Sequence, residues 1–469
     1  MQKCELGMVG LGVMGRNLLL NMADHGFSVA GYDQDPGKAE ALLGESEKRN
    51  IQSAETIESF IGLLRPPRAV MMLVPAGLAV DTVIETLQPH LETGDVIVDG
   101  GNSHFRDTER RARDLMANGI QYLGVGISGG EEGARRGPSV MPGGPKDAYE
   151  RVRVIFESVA AKVKEEPCVA YLGPGAAGHF VKMVHNGIEY GLMQLIAESY
   201  DLMKRGLGLT NDELHDVYHG WNQGELAGYL VEITSEIFKV PDERTGRRLI
   251  DQIRAVARQK GTGMWTSESA MELQVPTPTI DTAVAMRDLS AFESERGLAN
   301  GIYSRAIRSL EVERTGFLEE LKDALYVAMI ITYAQGLSLL RVAGERYGYP
   351  FELEEIARIW RGGCIIRAGL LEDIREAFRA RRDLPNLLLD SHLSETVMKH
   401  QEGLRRIIGR AAKIGVPVPG LMVSLGFLDA YRSSWSPANL IQAQRDYFGS
   451  HTYERIDANG TFHTQWEKG

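Results

Sequence analysis

Three cysteines in 469 residues, Cys4, Cys168 and Cys364, are too few for a disulfide framework and are spaced unlike any zinc site. A reducing compartment is expected. Positive charge is short as well: 52 Lys and Arg stand against 63 Asp and Glu, giving a formal net charge of -11 with no basic run to interrupt it. Such a field repels polyanions, so neither nucleic acid nor an anionic membrane is an expected partner. An anionic small molecule would need cations gathered locally. No apolar run approaches the roughly 18 residues of a membrane span. Leu6-Gly7-Met8-Val9, close behind Met1, reads as a first strand and not as the apolar core of a secretory leader. A cytoplasmic location is the expectation. Proline and glycine, at 18 and 52 residues, are not enriched enough to suggest disorder, and 43% hydrophobic with 25% charged residues is an ordinary globular balance. At about 150 residues per domain the length allows about three units.

What is present falls into two rhythms. Apolar runs at 6–9, 29–32, 69–74, 96–98 and 122–127 alternate with amphipathic stretches, the pattern of βαβ units in a largely parallel sheet. After Gly173-Pro174-Gly175 the period lengthens: Val181, Val184, Ile188, Leu192 and Leu195 recur at spacings of three and four, as on a core-facing helix. The expected architecture is an α/β Rossmann-like domain over 1–177, a large all-α domain over 178–434, and an extended, irregular C-terminal tail over 435–469. Its aromatics, with Gly449 and Gly460, suit docking onto a partner.

Gly10-Leu11-Gly12-Val13-Met14-Gly15 follows the first strand and leads into a helix expected over 17–25. Glycines at this spacing permit a tight turn, close approach of backbone to a pyrophosphate and close helix packing, while the helix N-terminus favours negative phosphates. Asp33 ends the next strand, where an acid accepts hydrogen bonds from the ribose 2′-OH of a dinucleotide, and Asp33-Gln34-Asp35 holds no arginine for a 2′-phosphate. NAD is favoured over NADP on this reading. Two alternatives stay open: Asp33 caps the following helix, or Lys38, Arg65 or Arg68 folds over a 2′-phosphate.

Lys182-Met183-Val184-His185-Asn186-Gly187-Ile188-Glu189-Tyr190 is the most unusual stretch in the chain. Lys182 and Glu189, seven apart, share one helix face with His185 and Asn186 between them and Tyr190 beside them. Buried polar groups need partners, and a stripe of them facing a core points to chemistry. Oxidation of an alcohol needs a base for the hydroxyl proton, and a lysine serves when its pKa is lowered. The competing reading is a lysine–glutamate pair on a solvated face.

Longer motifs join this helix: Val98-Asp99-Gly100-Gly101-Asn102-Ser103, Ser128-Gly129-Gly130-Glu131-Glu132-Gly133-Ala134, Met141-Pro142-Gly143-Gly144, Gln259-Lys260-Gly261-Thr262-Gly263, Trp360-Arg361-Gly362-Gly363-Cys364-Ile365-Ile366-Arg367 and Gln444-Arg445-Asp446-Tyr447-Phe448-Gly449-Ser450-His451-Thr452. With them the chain, from Gly7 to Trp466, resembles the decarboxylating 6-phosphogluconate dehydrogenases of the long, helical-domain type. The resemblance implies that Lys182 accepts the C3 hydroxyl proton of 6-phosphogluconate and that Glu189 protonates C1 after decarboxylation, with no metal. It implies that Asn102, Ser128, Gly129, Gly130, His185 and Asn186 hold the carboxylate and hydroxyl end. Ser128-Gly129-Gly130 also offers open backbone N–H groups, an anion nest, although a simple turn uses such glycines equally well. For the phosphate it implies Tyr190, Lys260 and Arg287, with Arg445 and His451 supplied by the partner tail of a homodimer. Arginine suits such bidentate contacts.

The resemblance departs at the cofactor. NADP-using members typically carry Asn-Arg-Thr where this chain has Asp33-Gln34-Asp35, and lysine where Val74-Pro75-Ala76 has Pro75. Together with Gly10 to Gly15 and Asn102, these residues form the expected cofactor set. Two other readings remain. One is a non-decarboxylating β-hydroxyacid dehydrogenase, a shorter kind of chain lacking the phosphate residues; the other is a catalytically inactive dinucleotide-binding scaffold.

Overall fold

The computed structural model describes residues 3–46, 49–303 and 309–466. Seven strands form its main sheet: β1 (Leu6–Val9), β2 (Val29–Tyr32), β3 (Ile51–Ser53), β4 (Ala69–Met72), β5 (Val96–Asp99), β6 (Gln121–Ser128) and β7 (Ser139–Gly143). They lie in the order β3-β2-β1-β4-β5-β6-β7, parallel except for the β6–β7 pair. β1, β4 and β5 are buried along their whole length, as strands covered on both faces must be. The strand order reverses between β1 and β4, and a ligand crevice opens at such a point. β3 and β7 escape the apolar-run reading because β3 has three residues and β7 ends in Met141-Pro142-Gly143, which imitates a turn. An edge strand accommodates that proline.

Helices α1 (Val13–Asp24), α2 (Pro36–Gly44), α3 (Ile57–Leu63), α4 (Leu78–Leu87), α5 (Phe105–Met116) and α6 (Gly130–Arg136) connect these strands, and α7 (Lys146–Val159) follows the last of them. α1 begins four residues earlier than its apolar pattern, directly at Gly12, whose extended backbone serves as the N-cap. A short ribbon, β8 (Lys162–Val163) and β9 (Glu166–Pro167), precedes the long helix α8 (Ala177–Asp201). Beyond it come α9 (Asn211–Trp221), α10 (Tyr229–Ile237), α11 (Thr262–Glu272), α12 (Pro278–Ala291), α13 (Glu293–Tyr303) and α14 (Arg314–Tyr347). The helical part closes with α15 (Leu353–Trp360), α16 (Leu370–Ala380), α17 (Ser391–Ile414) and α18 (Pro419–Tyr431).

α14 is long and apolar enough to cross a membrane, contrary to the expectation that no such stretch exists. Thr332, Tyr333 and Gln335 break up its apolar run in the sequence. In the fold 83% of that window is buried, against α8 and α17, so its hydrophobicity is spent on the core. Glu198 of α8 ties in α18: it is buried, its pKa is pushed up to about 7 by that burial, and it accepts hydrogen bonds from the N–H groups of Gly420 and Leu421 at 2.7 and 2.9 Å. The first-turn N–H groups of α18, which have no preceding helical carbonyls to donate to, are satisfied in this way.

The tail differs from the irregular segment expected. It holds a helix, α19 (Ala438–Gly449), and a ribbon, β10 (Tyr453–Glu454) with β11 (Thr461–Phe462). Asp446 is its centre, accepting from Thr452 N–H, Thr464 N–H, Trp466 Nε1 and His463 Nδ1 at 2.9 to 3.0 Å. Burial opposes its ionisation, but these donors hold the carboxyl well below its usual range.

α8 sits on the sheet at backbone distance. A Cβ added at Gly178 would lie 2.2 Å from the Met141 carbonyl and 2.4 Å from that of Gly124, so the helix has no room for a side chain there. Gly178→Ala is therefore expected to push α8 off β6 and β7, costing about 1–3 kcal/mol as an overpacking change. Thermal unfolding should show a fall in Tm; an unchanged Tm would contradict the tight contact.

Candidate active site

The close contact of α8 with β6 fixes where Lys182 goes. Its Cβ and Cγ pack where Gly126 presents no side chain, and the amine is carried into the interior, 6% exposed. Nζ donates to Asn186 Oδ1 at 2.7 Å and stands 3.4 Å from His185 Nδ1. His185 is fully buried: Nδ1 lies 3.1 Å from Asn186 Oδ1 and 3.9 Å from Glu189 Oε2, and Nε2 lies 3.4 Å from Ser128 Oγ. A proton on Nδ1 lets the ring donate to Asn186 and accept from the Ser128 hydroxyl. The Trp360 ring meets the imidazole edge-on, with centroids 5.6 Å apart.

Electrostatics follow from burial. Desolvation pulls the Lys182 pKa below its ordinary value, and Glu189 only partly offsets this. Desolvation pushes Glu189 up, with Lys182 and then Arg287 pulling the other way. His185 is driven well below the usual histidine range by burial and by the neighbouring Lys182, so it is neutral. A base and an acid whose pKa values are moved toward neutrality thus face each other on one helix, with an uncharged hydrogen-bonding group between them.

Gly129 follows β6 in the left-handed region, at φ 112°, and a Cβ there would strike the Gly363 carbonyl at 2.6 Å. Gly363 in turn accepts from Ser139 N–H at 2.7 Å, so the 360–367 segment is pinned behind Ser128-Gly129-Gly130. Cys364, buried and donating to the Trp360 carbonyl, lies within electrostatic reach of Lys182. Neither Trp360 nor Cys364 carried a signal as a neighbour of Lys182, since nothing in a sequence places a loop some 180 residues onward against a helix.

On the phosphate side, the Arg287 guanidinium stacks over the Tyr190 ring at 3.5 Å. Tyr190 packs against Gly263 in the first turn of α11. Lys260 is exposed just before that helix, in a segment held to α12 by Ala257 N–H to Ser290 Oγ and by Gln259 to Asp288. Arg445 and His451 are not brought to this cluster within one chain. Both are exposed, and their hydrogen bonds and ring contacts lie inside the tail.

The expected cofactor residues border a cleft of about 470 Å³ at the strand-order reversal, lined by Gly10, Gly12, Asp33, Gln34, Val74 and Pro75 together with Tyr32, Lys38, Thr82 and Thr86. Gly15 is required by contact, since a Cβ there would sit 1.9 Å from the Gly10 carbonyl. Leu11 is buried and Val13 half exposed. Met14 packs on the apolar core beneath, and Ala76 stands beside the lining Pro75. Asn102 is exposed in the loop after β5, between buried Gly101 and Ser103.

Asp33 does not present a free carboxylate. Oδ2 accepts from Leu11 N–H at 2.7 Å, Oδ1 from Asp35 N–H at 3.0 Å, and the Lys38 amine lies 3.2 Å away. Burial works against its charge, yet these donors lower its pKa below the ordinary value. Asp35, not Asp33, caps α2, accepting from Gly37 N–H. Arg68 is engaged by Asp95 and Glu92.

Two family descriptions match nearly the whole chain: the NAD binding domain of 6-phosphogluconate dehydrogenase over residues 5–173, and the 6-phosphogluconate dehydrogenase C-terminal domain over 178–466. Among curated proteins, the chain is 49% identical to the NADP(+)-dependent, decarboxylating 6-phosphogluconate dehydrogenase of Bacillus subtilis, with both chains covered in full. It is 45% identical to the decarboxylating enzyme of Escherichia coli, covering 99% of this chain and 100% of that one. Among solved structures it matches Plasmodium falciparum 6-phosphogluconate dehydrogenase, described in apo form, with its cofactor NADP+ and with its substrate 6-phosphogluconate. That match has a TM-score of 0.95 at 42% identity and covers 99% of this chain and 100% of the other.

These relatives overturn the expectation of NAD over NADP, since the Bacillus enzyme is NADP(+)-dependent by name and NADP+ is the cofactor of the Plasmodium one. The geometry supplies a physical reason. Asp33 is turned inward to brace the glycine loop and Asp35 is engaged as the cap of α2, while Lys38 brings a cation to the cleft wall.

An NMR titration of the lysine side chains should show Lys182 losing its proton at lower pH than the exposed lysines. Glu189→Gln, which removes the carboxylate that partly holds it up, should lower it further. Titration of Lys182 together with the surface lysines would contradict the buried site.

Proposed function

The chain belongs to the 6-phosphogluconate dehydrogenase family, and on that footing we propose that it oxidises and decarboxylates 6-phosphogluconate to ribulose 5-phosphate and carbon dioxide, with NADP as hydride acceptor. The observation that carries this reading is the buried Lys182–Asn186–His185–Glu189 constellation on α8, a depressed amine and an elevated carboxyl within one cluster.

Gly10, Gly12 and the cleft to Thr86 fit a dinucleotide, because the glycine backbone leaves room for a pyrophosphate and α1 points its N-terminus there. A dinucleotide held there would supply the hydride acceptor for oxidation at C3 of the substrate. Lys182, as the free amine its burial favours, takes the C3 hydroxyl proton. As the resulting 3-keto acid loses carbon dioxide, the protonated Lys182 donates to the oxygen at C3 and stabilises the enolate. Glu189, whose burial favours its protonated form, then delivers a proton to the substrate's former C2, now C1 of the enediol, and releases the ketose. Asn102, Ser128, Gly129, Gly130, His185 and Asn186 orient the carboxylate and hydroxyls. Tyr190, Lys260 and Arg287 gather the positive charge that an acidic chain must provide locally for a phosphate.

A division of labour follows, with residues 1–177 holding the dinucleotide, 178–434 carrying the chemistry and 435–469 reaching a second copy in a cytoplasmic homodimer. Supporting the dimer, Leu440, Ile441 and Phe448 on the tail and Leu298 and Ile302 on α13 are exposed apolar side chains, a surface that marks an interface. Arg445 and His451 are exposed beside them, free to complete the neighbour's phosphate site.

Purified protein given 6-phosphogluconate and NADP should release carbon dioxide with the reduced cofactor, at a higher kcat/KM than with NAD. Reduction without carbon dioxide would favour a non-decarboxylating β-hydroxyacid dehydrogenase. Lys182→Met should lower kcat by on the order of 10²–10⁴, the span of a general base. In kcat/KM against pH, the rising limb belongs to Lys182, which must be unprotonated, and the falling limb to Glu189, which must hold its proton. Glu189→Gln should remove the falling limb.

Subunit exchange tests the tail. Lys182→Met dimers and Arg445→Ala/His451→Ala dimers should each be weak alone. Mixed, they should regain activity, because a hybrid then contains one site with an intact Lys182 and an intact tail from its neighbour. No recovery would place the tail residues with their own chain's site.

A further inference from the structure

Beneath the reacting groups lies a second set of buried polar side chains to which no part of the proposed chemistry has been given. Asp99, at the end of β5, is 1% exposed, and its carboxylate accepts from Ser103 Oγ at 2.6 Å, from Tyr122 OH at 2.8 Å and from Gly101 N–H at 3.0 Å. The loop from Gly100 to Ser103 is thereby folded back on Asp99 from both sides. Its one exposed member is Asn102.

This bracket is joined to both neighbouring layers. The Asp99 carbonyl accepts from His179 Nε2 at 3.1 Å, and His179 is one turn before Lys182 on α8. The other ring nitrogen, Nδ1, takes the Thr108 hydroxyl at 2.6 Å, and burial keeps the imidazole neutral, which fixes its donor toward Asp99. On the opposite side, Arg111, 2% exposed, donates to Ser103 Oγ at 3.3 Å, to both Asp81 oxygens at 2.8 and 2.9 Å, and to the Gly77 carbonyl at 3.0 Å. Gly77 closes the β4–α4 segment that carries Val74, Pro75 and Ala76. The carbonyl of Val74 itself packs against Gly101.

Burying so many polar groups is costly unless each is satisfied, and a fully satisfied network rigidifies what it connects. A core that needed only packing would use apolar side chains here. We propose that Asp99, Tyr122, Arg111 and His179 are positioning residues that hold Asn102 in fixed register between the β4–α4 rim of the dinucleotide cleft and the Lys182 turn of α8. None touches substrate or cofactor in this assignment. They act through Asn102 and Lys182, setting the alignment of donor carbon and acceptor on which hydride transfer depends. Misalignment of about 1 Å is enough to slow such a step.

The inference rests on the proposed dehydrogenase function, and its test separates the two. Hydrogen exchange is read first and needs no turnover: in the full chain, Asp99→Asn and Tyr122→Phe should speed exchange at least several-fold across residues 100–104 while the remaining strands keep their protection. Next, Tyr122→Phe should lower kcat by about tenfold and raise the deuterium isotope effect measured with C3-deuterated 6-phosphogluconate, since hydride transfer becomes slower relative to the other steps. His179→Gln, which keeps a donor toward the Asp99 carbonyl, should retain more activity than His179→Leu. A merely structural role would reduce the amount of active protein and leave KM and the isotope effect of the survivors at wild-type values. An isotope effect left at the wild-type value in both Asp99→Asn and Tyr122→Phe, whether or not exchange over 100–104 speeds up, would overturn the proposal. A wild-type protein that fails to turn over 6-phosphogluconate would instead overturn the function, leaving the exchange result to judge the bracket.

Discussion

α8 meets the sheet where the strands present glycine, so the helix side chains press directly on strand backbone. At Gly124 and Gly126 on β6, Gly143 on β7 and Gly178 on the helix, an added Cβ would clash across the contact and hold the two apart. Packed layers are normally held apart by interdigitating side chains, as in stacked sheets about 10 Å apart. Here that depth is given up, and the residues on the facing stripe, His179, Lys182, His185 and Asn186, are pressed into the interior. Their altered proton affinities are consequences of that packing. Move the helix outward and Lys182 becomes an ordinary surface amine.

Charge is organised around the same contact. An acidic chain meets an anionic ligand by concentrating cations at one place and neutralising its acids elsewhere. Arg287 is held over Tyr190 near Glu189, while Asp33 is met by backbone donors and Lys38, Asp35 by the Gly37 N–H it caps, Asp81 by arginine, and Asp99 by the Ser103 and Tyr122 hydroxyls and a backbone N–H. An acid satisfied inward exerts much less repulsion on a ligand than its formal charge suggests, because its partners cancel it at short range. Counting residues at the end of β2 therefore gave a misleading forecast of the cofactor.

The same distinction separates what was legible from what was not. All five apolar runs coincide with strands to within a residue or two at each end, and the glycine loop lies at a strand-to-helix turn, because these are local patterns of burial and backbone geometry. The Lys182 to Tyr190 stripe was visible through helical periodicity alone. β3, β7 and α19 were not, being short or studded with proline, glycine and aromatics that mimic irregular chain. The apolar window of α14 was hidden by a few polar residues that tertiary burial accommodates.

The sequence by itself determined which groups are available and which of them share a helix face: a lysine, a histidine, an asparagine and a glutamate at spacings of three and four, behind a glycine loop at the first strand. Those are consequences of covalent order and helical period. Only the tertiary structure decided what state those groups are in. Desolvation of Lys182 depends on glycines some fifty residues earlier, the tautomer of His179 on Thr108 and Asp99, and the reach of Asp33 on the Leu11 amide and Lys38. Solvation and short-range electrostatics are set by what lies within a few ångströms in space, and in this fold those neighbours come from distant stretches of the chain.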